Sequence, residues 1–329
     1  DPKSNSKTVA SNISLPLYLQ NHKMKRLHLL FFIILLFQIA FGQKQKLGFN
    51  LLPGQTYYHS MQTSSNVQQD LNGQKVIIDI TLTGKIAFKI IDIKDSIYDI
   101  DVRYQKLAMK MKLPNREMSF NSEKKDTTDV FSNVLGAIID KQFLMKMTKT
   151  GKIVEVKNID SIFDKSIENF SNLTLLQKQQ IKVQLMQAFG EKSFKGSFEM
   201  ITAIYSNAAV DKSDTWIIKT KLESAQSATV TTTFEFKDKI ENYNIIIGTG
   251  EIETLDRNAI TQINGMPAKY NLKGTMNSTL KVDNKTGWVA DAKIIQSISG
   301  NAEIEDNPKL PGGMIIPMSI VTGITYSAN

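Results

Sequence analysis

The chain has no cysteine. That removes disulfides, thiolate zinc sites, iron–sulfur clusters and cysteine nucleophiles together. Histidine is almost as scarce, with 3 in 329 residues, and only His59 lies beyond residue 42. A Ser-His-Asp device would have to use it, and no Gly-x-Ser-x-Gly elbow is present. A lone histidine on a strand is read as structural or exposed. Arginine is rare as well: beyond residue 42 there are only Arg103, Arg116 and Arg257. Nucleic-acid readers lean on arginine forks and basic clusters, so no nucleic-acid partner is expected. With one histidine and no thiols, metal ligands would be oxygens, and no Asp-x-Asp-x-Asp-Gly loop is present. Gly248-Thr249-Gly250 lacks the third glycine and following helix of a nucleotide fingerprint. Asp99 and Asp101 share a strand face and would suit glycoside hydrolysis as paired carboxylates. Sharing that face with Arg103, they read better as a solvated surface. Neither a cofactor nor a catalytic activity is expected.

What is present begins with an address. Met24 to Gly42 opens on Lys25 and Arg26, runs unbroken and apolar from Leu29 to Phe37, and closes on Ala40-Phe41-Gly42. A positive start, a short apolar run and small residues at its end make a secretory signal peptide. A membrane-spanning helix needs about 20 apolar residues, so the run is too short to be an anchor. The expectation is an exported protein, cleaved near Gly42/Gln43 and periplasmic or extracellular, with no transmembrane segment left. Residues 1–23 precede Met24 and are expected to be a non-native upstream extension without structure. The formal charge is +8 overall. Residues 1–42 hold five bases and one acid, so the chain from Gln43 on is closer to balance. Apolar residues make up 41%, enough for a core. Residues 43–329 are read as a single domain.

From Val76 to Ile90 every even position is apolar or glycine, while Asp79, Thr81, Thr83, Lys85 and Lys89 fall between them. Strict period two marks a half-buried strand. At ~3.3 Å per residue it would be about 50 Å long, which suits a strongly curved sheet. Gly84 sits on its apolar face, where a missing side chain lets the sheet bend. A strand over Gln55–Gln69 joins it through Asn72-Gly73, a strong hairpin signal. The next strand comes after the Asp95-Ser96 region, with Tyr98, Ile100, Val102 and Tyr104 on one face. Its parity flips to Leu107, Met109, Met111 and Leu113, so a bulge is expected near Gln105.

The middle changes period. Helical spacing runs through Val130–Ile139, Ile159–Phe170 and Leu173–Phe189, with Gly190 as a stop, and a further helix is expected over Phe194–Tyr205. Between the first two lies a hairpin, Phe143, Met145 and Met147, a turn at Thr150-Gly151, then Ile153–Val156. Strands return over 216–223, 229–236, 243–255, 259–262, 270–282 and 288–298. Gly274 repeats the role of Gly84, and Met318–Ile324 would close the sheet. Strands, helices, then strands, without βαβ alternation, predict an α+β fold: one strongly curved, half-barrel-like antiparallel sheet with the helices packing on one face.

Several short stretches add a resemblance. They are Leu52-Pro53-Gly54-Gln55-Thr56-Tyr57, the hairpin Gly151-Lys152-Ile153-Val154, Ser213-Asp214-Thr215-Trp216, the turn Asp283 to Gly287, and Ile316-Pro317-Met318. With the signal and the long meander, the layout resembles an uncharacterised secreted Bacteroidota envelope family, a domain of unknown function. It is also similar to the outer-membrane lipoprotein carrier superfamily. That second resemblance implies an open half-barrel whose helices sit in its mouth and shelter acyl chains. Fold alone does not fix function.

Methionine is the residue type to weigh. There are 13, including Met109/Met111 and Met145/Met147 at strand spacing. Flexible and polarizable, methionine suits surfaces that accept varied apolar partners. Met109, Met111, Met145, Met147 and Phe88 are therefore the candidate lining for a lipid or other apolar ligand; the plainer reading is core filler. The first functional expectation is non-catalytic binding of such a ligand. The alternative is a structural or interaction module of the envelope with a protein partner and no ligand, and a hydrolase ranks last.

Overall fold

A computed structural model describes residues 44–328 except 125, 127, 172, 224–226 and 264. The expected signal at 24–42 and the extension at 1–23 lie outside the described residues. From Gln45 on, the chain forms one compact unit.

The opening is an antiparallel meander of β1 (Thr56–Leu71), β2 (Gln74–Lys94) and β3 (Ile97–Leu113). Residues with positive φ make both hairpins: Asn72 at 55° and Gly73 at 86°, then Asp95 at 50° and Ser96 at 65°. Such turns match the twist of the strands they join. Along β2 the even positions from Gly84 to Ile90 are buried, as the alternation requires. The parity flip in β3 is a bulge at Gln105. Lys106 lies opposite Lys85 and Tyr104 opposite Ile86, so Gln105 has no partner on β2. The short strand β4 (Arg116–Asn121), not expected from the sequence, folds back onto β3.

The helical middle holds α1 (Val130–Ile138), β5 (Gln142–Thr148), β6 (Ile153–Lys157), α2 (Ile159–Glu168), α3 (Leu175–Phe189) and α4 (Glu191–Thr202). Asp129 caps α1 by accepting from the Ser132 amide at 3.0 Å. Thr174 and Gln177 form a capping box on α3, which satisfies two amides that a helix start leaves free. Gly190 ends α3 and begins α4. At Gly151, φ is 87° and a Cβ would lie 1.6 Å from the Thr202 carbonyl oxygen, so only glycine lets the β5–β6 turn meet the end of α4.

The last third contributes β7 (Thr215–Glu223), β8 (Ser227–Ile240), β9 (Tyr243–Thr254), β10 (Thr261–Ile263), β11 (Met266–Asp283), β12 (Val289–Ile304) and β13 (Met314–Ser327). All 13 strands join one antiparallel sheet in the order β6-β5-β3-β2-β1-β13-β12-β11-β9-β8-β7, with β4 on β3 and β10 on β11. The molecule is mostly β with few helices, so the antiparallel sheet of the expected architecture forms without an even α+β balance. Met318–Ile324 does not close the sheet. It lies in β13, which pairs with β1 on one side and β12 on the other and so joins the two strand blocks, while β6 and β7 end an open path.

Helix α4 packs on the main core through its buried face. Phe198 stacks on Phe88 of β2 at 4.6 Å between centroids. Phe194 meets Phe143 of β5 edge-on at 5.1 Å, and Met200 Sδ lies 3.2 Å from Gln296 Nε2 of β12. The Glu199 carboxylate accepts from the Ile153 amide of β6 at 2.7 Å. Just past the helix, the Ile204 carbonyl accepts from the Trp216 indole of β7 at 2.9 Å. A second, smaller core of Ala268, Leu272, Ala302, Ile304, Ile316 and Met318 forms where β11, β12 and β13 run on, with Val67 and Leu71 of β1 against it.

Candidate functional site

A cavity of about 330 Å³ lies between the inner face of the sheet and α4. Strand β1 gives it alternate residues, His59, Met61, Thr63 and Ser65, because side chains two apart share a strand face. Strand β2 gives Leu82 and Ile86, and β13 gives Ile324 and Tyr326. Tyr104 and Leu107 both line it although an odd number of positions separates them. The bulge at Gln105 is what puts both on the inner face. Opposite, α4 presents Ser193, Phe194, Ser197, Phe198 and Met200, and the end of α3 adds Gln187, Ala188 and Phe189. Gln296 and Leu222 complete the wall. No Lys, Arg, Asp or Glu is among the lining residues.

His59 is 1% exposed. Its ring stacks on Trp288 at 4.4 Å and 16°, with Phe88, Phe198 and Tyr326 around it. Nε2 lies 2.9 Å from the Val289 carbonyl oxygen. Nδ1 has no partner among the described residues. Burial disfavours the imidazolium and moves the pKa from 6.5 down to about 4, with the Val289 carbonyl opposing. Burial likewise pushes the Tyr104 and Tyr326 hydroxyls upward, away from ionisation. The Tyr104 hydroxyl donates to the Phe189 carbonyl at 3.4 Å.

The five residues proposed as lining are placed elsewhere. Phe88, Met145 and Met147 are buried in the closed core, where Met145 and Met147 alternate on β5 with Phe143 on the same inward face. Met109 and Met111 lie beyond the bulge and are half-buried, opposite Leu82 and Ile80 of β2. The cavity uses Met61 and Met200 instead. Those two come from β1 and α4 rather than from one strand's alternation, because the lining follows the gap that α4 leaves. Gly84 lies on the inner face between Met61 and Leu107 in the pairing, and an added Cβ would sit 3.3 Å from Leu107 Cδ2. At Gly274 an added Cβ would sit 2.3 Å from the Ser297 carbonyl oxygen, so β11 and β12 approach there without room for a side chain.

Asp99 and Asp101 are each held by a base, and Asp101 is buried rather than on the solvated surface expected of it. Lys146 holds Asp99 at 2.6 Å, and Arg103 holds Asp101 at 2.9 Å with a second bond at 3.1 Å. Among the described residues no group of three or more His, Asp or Glu side chains could hold a metal ion. No helix among them is long and apolar enough to cross a membrane. A second hollow of about 520 Å³ has a polar lining that includes Lys85, Lys106 and Asp291.

Among curated proteins none matches the chain. Among solved structures it is similar to lipovitellin, determined for its lipid–protein interactions, at 9% identity and a TM-score of 0.48. The match covers 85% of this chain and 25% of that one, so the chain spans about a quarter of lipovitellin's length. It is also similar to an outer membrane channel from Pseudomonas putida, at 6% identity and a TM-score of 0.24 over 85% of this chain and 97% of that one. A third similarity is to a DUF1329 family protein from Desulfovibrio piger, at 9% identity and a TM-score of 0.16 over 83% and 84% of the two chains. The model of a family of unknown function, DUF6263, matches residues 95–289, more than half of the chain, and the protein belongs to that family.

Proposed function

We propose that this is a non-catalytic binding protein that shelters a lipid or another apolar molecule between its sheet and α4. The observation that carries the reading is the uncharged cavity of about 330 Å³, walled mostly by Met, Leu, Ile, Phe and Tyr side chains. Its size falls at the lower end of the ~300–1,000 Å³ of ligand sites, and a mostly apolar wall with a few polar groups is their usual make-up. A curled, half-barrel-like sheet fits the packing of α4. Laid flat, eleven paired strands would set β6 and β7 roughly 48 Å apart at ~4.8 Å per pairing. Helix α4 has 12 residues, about 18 Å at 1.5 Å each. Its contacts with β6, and with β7 through Ile204 just beyond it, support a sheet wrapped around it.

The address at 24–42 supports an exported, envelope-associated protein, as in the secreted Bacteroidota family that the layout resembles. Without a ligand, the runner-up is a protein-interaction module of the envelope. The feature that favours it is the start of α3, where Leu175 is 87% and Leu176 69% exposed.

The test is uptake of a neutral apolar fluorophore, N-phenylnaphthylamine, by the protein and by Ser197→Trp. Ser197 is half-buried on the cavity face of α4, so the indole fills the space with little harm to the core. The expected result is saturable uptake that the variant loses while its melting temperature stays within a few degrees. Absence of uptake by the unaltered protein, or equal uptake by a folded Ser197→Trp, would sink the reading.

A further inference from the structure

The polar hollow of about 520 Å³ lies on the other face of the sheet from the apolar cavity. Neighbouring side chains on a strand point to opposite faces. His59, Ile86 and Ile324 face the cavity, so Ser60, Lys85 and Thr325 beside them face the hollow. Gln62, Lys106, Asp291 and Thr325 are exposed, so it opens to solvent.

Register aligns its polar groups. Lys106, Lys85, Ser60, Ser327 and Asp291 stand opposite one another in turn on β3, β2, β1, β13 and β12. Beside that row Thr83, Gln62 and Thr325 do the same on β2, β1 and β13. All eight line the hollow. Two bases therefore stand at one end and an acid at the other, with four hydroxyls and an amide between them.

Lys85 is the charge that this arrangement leaves unanswered. Like charges directly opposite on neighbouring strands repel. Glu123 pairs with Lys106. Among the described residues no carboxylate pairs with Lys85, which is half-buried with its ammonium 5.5 Å from the centre of the Tyr58 ring. An anion placed there would relieve the repulsion and gain a charge-assisted hydrogen bond. Asp291, three strands away, limits that anion to one: it repels a second negative group and accepts only from O–H or N–H donors. A phosphate group carries roughly two negative charges at neutral pH, and a single free ammonium matches a carboxylate better. The hydroxyls between the two ends both donate and accept, as a polyol requires.

We propose that this outer hollow binds an acidic sugar. Its one carboxylate meets Lys85, and its hydroxyl groups lie over Ser60, Thr83, Thr325 and Ser327 toward Asp291. The volume falls within the ~300–1,000 Å³ of small-molecule sites. The site is separate from the apolar cavity, and either reading can fail without the other.

The experiment is NMR of the full chain with isotope-labelled lysine side chains. It is titrated with cellobiouronic acid, which has one carboxylate, with cellobiose, which has none, and with inorganic phosphate. The Lys85 side-chain signal should move saturably with the acidic disaccharide. That sugar is expected to bind about tenfold more tightly than cellobiose, and more tightly than phosphate. Lys85→Gln removes a repulsive charge, so the fold is kept, and it should make the two disaccharides equal. Ser197→Trp, on the other face, should change none of these affinities. Equal binding of the two disaccharides by the unaltered protein, or an undiminished preference in Lys85→Gln, would overturn the assignment of the carboxylate to Lys85. Phosphate bound as tightly as the acidic disaccharide would show an anion site that does not recognise sugar and overturn the ligand class. No shift with any of the three overturns the site.

Discussion

His59 carries more than one consequence at the residue scale. Its folded-state pKa is about 4 against 6.5 when unfolded. The unfolded chain therefore takes up a proton at this site first as pH falls. Stability is whole above 6.5, declines as pH drops through the interval, and stops declining on this account below about 4. A shift of that size corresponds to roughly 3 kcal/mol. Asp126, Asp129 and Asp238 have pKa values lowered from 3.8. Their contributions are lost at lower pH, so the two windows separate. Urea denaturation at a series of pH values should show this loss, and His59→Phe should flatten it. An unchanged slope in the variant would mean that His59 is hydrated in the native state. The sequence marks this residue only by scarcity. Nothing in its neighbours, Tyr58 and Ser60, announces that Trp288 from the far end of the chain will stack on it. That contact depends on how β1 is placed against the turn before β12.

Elements are far more legible than contacts, and the reason is physical. A strand's alternation and a hairpin's turn residues are local, so β1 to β3, the bulge at Gln105 and both turns can be read directly. The capping box at Thr174 is there to read as well, and it places the start of α3 two residues later than the apolar spacing alone suggests. Strand β4 is short and polar outside Met118 and Phe120, which leaves too few residues for a period to show. What α4 does cannot be read from its own stripe. Its Glu199 is 6% exposed and accepts from the Ile153 amide. Strand β6 pairs only with β5, so its outer amides face no strand, the usual liability of an edge. Glu199 answers one of them. Replacing it with Leu would strand that amide and cost about 1–3 kcal/mol. Glu199→Gln keeps an acceptor and should recover most of the loss. Chemical denaturation of the two variants checks the pair; equal losses would show that charge rather than acceptance matters there.

At the scale of the whole molecule, the last strand decides whether there is one folding unit or two. Each strand block is a run of hairpins, and the sequence shows both. Which strand links them is a long-range pairing that no local pattern encodes, and β13 reads as a closing edge for that reason. It pairs with β1 from Ser60 to Gln69 and with β12 from Asp291 to Ile304. The position of Pro317 fits this placement. It faces Asn301 of β12, while the pairing with β1 has already ended one step earlier, at Met318 opposite Gln69. Proline is tolerated where a strand has one free side. Thr322 is different. It lies opposite Ser65 on one side and Gln296 on the other, and its hydroxyl meets that of Ser65 at 2.9 Å. Thr322→Pro removes a ladder hydrogen bond between two neighbours and should cost at least about 1–3 kcal/mol. The two tryptophans report the outcome separately. Trp216 bonds to Ile204 within the second half, whereas Trp288 stacks on His59 of β1 across the join. If β13 makes the sheet a single cooperative unit, both signals shift together to lower denaturant in the variant. Retention of the Trp216 signal after Trp288 is lost would show instead that the second block folds alone and that β13 only fastens it to the first.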